Sequence, residues 1–286
     1  MAVAEPRVDD GLAARQVYEP HRVGLPPLGP YIRELWRRRE FAFELARTNL
    51  RSQQFNTVLG QLWLVLNPVL LAFVYFLLVD LIRSGSRGSE FFAHLMLTLF
   101  AYRLVSVSIK QGSRSVIGGG RLILNTAFPR TLLPLASVMT AFMRFLPMFA
   151  VYAVAHVVVG LPVNQNLLWA LPIVAMLVLL AAGATMLVAA AQVYFRDLTN
   201  ILPYFLRIWL YLSPILYYAH EVPDRFKPIV AANPLYPLLG ALSDAVNFGE
   251  APSTSFLLGG LAWALAFFAV GALFFMSRER EFAVRL

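Results

Sequence analysis

The sequence predicts an all-α integral membrane protein. It has an amphipathic helix lying in the interface, six membrane-crossing helices, and a pair of outer re-entrant helices before the last crossing. Three observations carry that reading. Of 286 residues, 59% are hydrophobic and only 14% charged, where a soluble domain carries nearer a quarter. The charges gather at the N-terminus, in short loops and at the C-terminus. Between those places run apolar stretches of the roughly 20 residues that a bilayer core demands, and the mean hydropathy is +0.65.

Residues 1–27 form a flexible tail. The start of the chain is polar and holds Pro6, Pro20, Pro26, Pro27 and Pro30. It lacks the apolar stretch of a cleavable signal, and its composition favours extended or disordered chain. Residues 28–52 follow a helical period, with apolar Ile32, Leu35, Trp36, Phe43, Ala46 and Leu50. Among them stand Arg33, Glu34, Arg37, Arg38, Arg39, Glu40, Glu44, Arg47 and Arg51. That many charges cannot enter hydrocarbon, so the helix lies in the headgroup plane with its arginines toward phosphate. A solvated helix packed on another domain is the alternative.

Residues 53–286 form one membrane domain. Its crossings are expected at 58–82, kinked at Pro68, then at 91–110, 132–159, 167–194, 201–219 and 255–276. Residues 228–248 are apolar again but broken by Pro234 and Pro237. Proline-interrupted apolar pieces dip into the membrane and return, buried in protein or lining a cavity. No internal repeat is visible.

Basic residues set the orientation. With the N-terminus inside, the cytoplasmic side holds Arg7, Arg15, Arg22, Arg33, Arg37, Arg38, Arg39, Arg47 and Arg51 before the first crossing. It also holds Lys110, Arg114, Arg121, Arg130, Arg196, Arg278, Arg280 and Arg285, against only Arg83, Arg87, Arg225 and Lys227 outside. Both termini are therefore expected in the cytoplasm, in a multi-pass protein of the plasma (inner) membrane. The net charge of +8 belongs to this lipid-facing pattern and does not indicate nucleic acid.

No enzyme constellation is present. There are no cysteines, and the four histidines are far apart. The sequence has no HExxH, GxSxG or Walker loop, and the adjacent acids Asp9 and Asp10 lie in the tail. No catalytic or metal-binding residue is assigned, and the chain carries no cofactor of its own. If ATP drives this protein, another chain must bind it.

Three arginines fall inside crossings: Arg103, Arg144 and Arg207. Such residues face a bundle interior, a cavity or a partner. Arg144 is the deepest and is the candidate to meet an anionic substrate, with snorkelling or a buried pair as the alternative. Deep aromatic residues offer ring faces for sugars: Tyr75, Phe100, Tyr102, Phe142, Phe145, Trp209 and Tyr211. The alternative for each is a lipid-facing or core position.

Three stretches then carry a resemblance: FNTVLGQLWLVLNP at 55–68, RDLTNILPYFLRIWLYLSPILY at 196–217, and NPLYPLLG at 233–240. In this order they resemble the ABC-2 type permeases that export polysaccharides and teichoic acids, the Wzm and TagG group. Within it, the chain looks most like permeases for lipid-linked galactan, a cell-wall precursor. The resemblance covers about residue 30 to the C-terminus and implies an ABC-2 exporter fold. It further implies a homodimer with a channel between the copies. Two copies of a separate ABC nucleotide-binding subunit of the Wzt type would complete a 2:2 complex and supply ATP and Mg2+. The implied substrate is a polyprenyl-diphosphate-linked glycan. Its diphosphate would load near the interfacial helix, at Arg37, Arg38, Arg39, Arg47 and Arg51. The loop at 112–130, with Arg114, Gly118, Gly119, Gly120 and Arg121, would contact the ATPase. The proline-rich tail has no counterpart in that pattern. An ABC-2 permease for a drug or lipid, a membrane-embedded glycosyltransferase and a membrane scaffold are the other readings.

Overall fold

The computed structural model describes residues 24–52, 59–83 and 87–285. The tail up to residue 23 and the start of the first predicted crossing, at 58, lie outside them. Every regular element among the described residues is helical.

The predicted interfacial helix is two helices, α1 (Leu28–Arg37) and α2 (Arg39–Ser52). The break at Arg38 separates a helix with no fully buried residue from one that buries two. α1 exposes Ile32 and Trp36. α2 buries the small Ala42 and Ala46 against a later helix, where the Thr140 hydroxyl donates to the Ala46 carbonyl at 3.3 Å.

The long helices follow. α3 (Trp63–Arg83) contains Pro68 and exposes Phe73, Leu77, Leu78 and Leu81. α4 (Gly88–Gly112) is the hub, buried on nearly all sides and packed against most of the other long helices. Two short helices, α5 (Ser115–Gly118) and α6 (Gly120–Asn125), form the next turn. α7 (Leu132–Val159) matches the predicted crossing and stops at Gly160, whose φ of +79° is left-handed. α8 (Ala170–Tyr194) follows a 3-10 turn capped by the Asn164 side chain.

α9 (Leu198–Leu212) is shorter than the crossing expected at 201–219. Pro214 follows Ser213, and a residue before proline is driven to extended backbone; Ser213 has ψ of 152°. Fifteen residues rise only about 22 Å against a hydrocarbon core of about 30 Å. α10 (Lys227–Ala231) and α11 (Leu235–Val246) come next, and the chain folds by 111° between them. This is the geometry expected of a re-entrant pair at 228–248. α12 (Thr254–Arg278) and the short α13 (Phe282–Arg285) close the chain.

Five described helices are long and apolar enough to cross a membrane, and the bent pair makes a sixth if taken as one broken crossing. α8 and α12 form the closest crossing. A Cβ on Gly271 would stand 2.0 Å from the Gly183 carbonyl oxygen, so two bare glycines let the backbones touch.

Candidate functional site

Both ends of the described chain meet at one end of the bundle, and most of the candidate basic residues gather there. The Tyr31 hydroxyl on α1 donates to Glu279 Oε2 at 2.5 Å and bonds Thr131. Glu279 also accepts from the Arg130 backbone N–H, and the Arg130 guanidinium donates to the Glu279 carbonyl. Burial, then the Glu279 charge, pushes the Tyr31 hydroxyl far above its ordinary pKa. This latch was not anticipated, because its members are spread across the whole sequence.

Beside the latch lies a cavity of about 730 Å3, lined by Arg37, Arg38, Arg130 and Arg280 together with Glu34 and Glu279. Glu34 takes both Arg37 and Arg38, at 2.6 and 2.5 Å. Their hydrogen bonds, Arg38's first, and then their charges hold its carboxyl below the usual range. Arg39 stacks over Trp36, 4.6 Å from the ring centroid. Arg47 lies 3.9 Å from Glu44, and Arg51 is exposed at the end of α2.

The turn at 112–130 is anchored by two buried apolar residues, Val116 and Ile123. Between those anchors Gly118 and Arg121 are exposed and Gly119 and Gly120 are half-buried, and Arg114, just before Val116, is exposed. All of these except Gly120 line a cleft of about 480 Å3 that reaches Leu45 and Asn49 on α2. A Cβ on Gly118 would meet open space, whereas one on Gly119 would press Leu133 and the Ser115 carbonyl at 2.9 Å.

The deep aromatic candidates divide into three groups. Phe100, Tyr102 and Trp209 are buried inside the bundle. Tyr102 donates to the Leu206 carbonyl, and Trp209 donates to Asn233 Oδ1 at 2.7 Å. Phe142 and Phe145 begin a ladder along α7, continued by Phe149, Tyr152 and His156 with centroids 5.6–6.4 Å apart. They border an apolar groove of about 440 Å3 between α7 and α8. Tyr75 and Tyr211 face each other between α3 and α9. Tyr211 stands on an exposed α9 face with Tyr204, Phe205 and Ile208, two further aromatic residues that the sequence reading did not single out.

Arg144 shares a cavity of about 120 Å3 with Arg103, Asn67 and Trp63. The sequence placed both arginines in crossings without pairing them. At the opposite end of the bundle, Arg87 pairs with Glu221 and lies over the Phe91 and Tyr218 rings, at 4.4 and 5.4 Å.

Comparison with known proteins agrees with this architecture. A sequence model of the ABC-2 type transporter family matches residues 42–247. Over 192 residues the chain is 28% identical to the O-antigen export system permease protein RfbA of Klebsiella pneumoniae, covering 67% of this chain and 74% of that relative. Over 262 residues it is 26% identical to the protein of the same name from Myxococcus xanthus, covering 88% and 97%.

Proposed function

The chain belongs to the ABC-2 type transporter family, and from that premise we propose that it is the membrane permease subunit of an ATP-driven polysaccharide exporter. The observation that carries the reading is the Myxococcus relative, an O-antigen export permease aligned over 97% of its own length. The substrate in this reading is a polyprenyl-diphosphate-linked polysaccharide, and its finer identity is galactan for the cell wall.

The protein then sits in the plasma (inner) membrane with both termini cytoplasmic, as the basic residues favour. Two copies form the working unit. The exposed α9 face of Tyr204, Phe205, Ile208 and Tyr211, with the Tyr75–Tyr211 pair beside it, supports a path there. Its rings suit the apolar faces of sugars, and the buried Phe100, Tyr102 and Trp209 hold the wall behind them. Phe142 and Phe145 border apolar space, which suits a lipid chain better than a glycan. The arginines of α1 and α2 receive the diphosphate. A separate Wzt-type subunit binds ATP and Mg2+ and docks on the turn holding Arg114, Gly118, Gly119, Gly120 and Arg121.

Co-purification of the full chain with a co-expressed neighbouring ATPase, followed by ATPase assay with and without lipid-linked glycan, tests the reading. A stable complex whose hydrolysis responds to glycan is expected. A permease that never captures an ATPase overturns it.

A further inference from the structure

We propose that Arg103 and Arg144 form a phosphate-binding site inside the bundle, one helical turn beyond the plane of α2. The proposal deepens the export reading above, because it gives the anionic head of a lipid a specific seat.

Both guanidinium-bearing residues line one cavity of about 120 Å3 between α3, α4 and α7, and Asn67 and Trp63 complete its polar rim. Among the described residues, the rest of the lining is apolar and includes no carboxylate. Two like charges facing a small space in a low-dielectric setting repel one another, so the arrangement gains when an anion enters. The Nε of Arg103 is buried without a hydrogen-bond partner, which is uncommon for so strong a donor. Guanidinium forks match phosphate oxygens in geometry and charge. The volume equals about four waters at about 30 Å3 each, which suits one phosphate group and excludes a glycan.

Depth points to a phosphate carried by a lipid or arriving at the headgroup layer. α2 meets α7 at Thr140. Arg144 stands four residues further along α7, a rise of about 6 Å. The cavity therefore opens just inside the level at which α2 lies.

The test is thermal unfolding of the full chain in uncharged detergent. The probes are dihexanoyl phosphatidic acid, geranylgeranyl diphosphate, inorganic phosphate and uncharged geranylgeraniol. The phosphate-bearing lipids are expected to raise the melting temperature and geranylgeraniol to leave it unchanged. An equal rise with inorganic phosphate assigns the site to free phosphate; a rise confined to the lipids assigns it to a membrane lipid. Arg103→Gln and Arg144→Gln should each weaken binding at least tenfold while Arg37→Gln retains it. Arg103→Gln should also raise the melting temperature of the empty protein, since it removes a like charge. Asn67→Asp, which supplies an internal counter-charge, provides a second variant that should fold and abolish binding.

No shift with any phosphate compound overturns the proposal. So does a shift that survives Arg103→Gln, Arg144→Gln or Asn67→Asp. Binding is read without transport: a chain that binds phosphate but never couples to an ATPase keeps the site and loses the export reading. A chain that exports glycan but shows no shift loses the site alone.

Discussion

Asn233 uses one side-chain amide to hold a break in the chain. Its oxygen accepts from the Trp209 indole and from the Leu235 backbone N–H. Its nitrogen donates to the Leu212 carbonyl and the Ser213 hydroxyl, at 3.1 and 3.0 Å. The end of α9 and the start of α11 are thereby tied together. Asn233→Ala strands the indole N–H and the Leu235 backbone N–H, and each unsatisfied group costs about 1–3 kcal/mol. The expected result is a stability loss of about 3 kcal/mol, read as a lower melting temperature in detergent. Trp209→Phe, which removes only one donor, should cost less. The Asn-Pro dipeptide was visible in the sequence, but three of the four partners of Asn233 lie 20 or more residues away and no local pattern names them. Arg87 gives a pH-dependent case at the same scale. Burial alone would raise the Glu221 carboxyl, but the Arg87 bond and charge, with the Tyr218 N–H, hold it below its ordinary pKa. A depressed folded pKa means stability that is present above the unfolded value and lost as pH falls through the folded one. In Arg87→Gln the burial remains and the Arg87 charge is gone. Its melting-temperature deficit against wild type should therefore be largest near pH 7 and shrink as pH falls toward 3. A deficit that is the same at every pH would show that the pair is screened.

At the scale of elements, the closest packing depends on residues without side chains. Gly271→Ala places a Cβ 2.0 Å from the Gly183 carbonyl oxygen, so α8 and α12 must separate. Overpacking of this kind costs about 1–3 kcal/mol, and a fall in melting temperature is expected. Gly118→Ala meets open space and should leave the melting temperature unchanged. Any loss of glycan-stimulated ATPase in that variant then reports on docking and not on folding. The long elements were legible in the sequence because apolar length is itself the signal: α7 occupies Leu132–Val159, as its run of residues predicts. The α9 boundary was missed by reading hydropathy through Ser213-Pro214, where local backbone chemistry overrides an apolar run. The break at Arg38 carries no proline or glycine. Beyond it, Tyr31 of α1 is tied to Thr131 and Glu279 and α2 seats on α7, tertiary ties that periodicity cannot display.

For the whole molecule, the asymmetry of charge is the feature with functional reach. Reversing Arg37, Arg38 and Arg39 to glutamate should leave a chain that folds but no longer exports. The measurement is glycan at the cell surface beside the melting temperature of the purified protein; unchanged export would confine these arginines to a structural role. Of the candidate site, the basic clusters were legible because charge in a membrane chain is conspicuous. The assignment of aromatic residues to core, groove or exposed face was not, because nearly every face of these helices is apolar. The bond from Tyr31 to Glu279 spans 248 residues of sequence, and that separation bears on biogenesis. A ribosome delivers Tyr31 early and Glu279 nearly last. α1 therefore stays unlatched while every membrane helix between them is inserted, and it locks only once the chain is nearly finished. The latch therefore completes only after the last membrane helix. In a chain truncated before Glu279, Tyr31 keeps only its bond to Thr131.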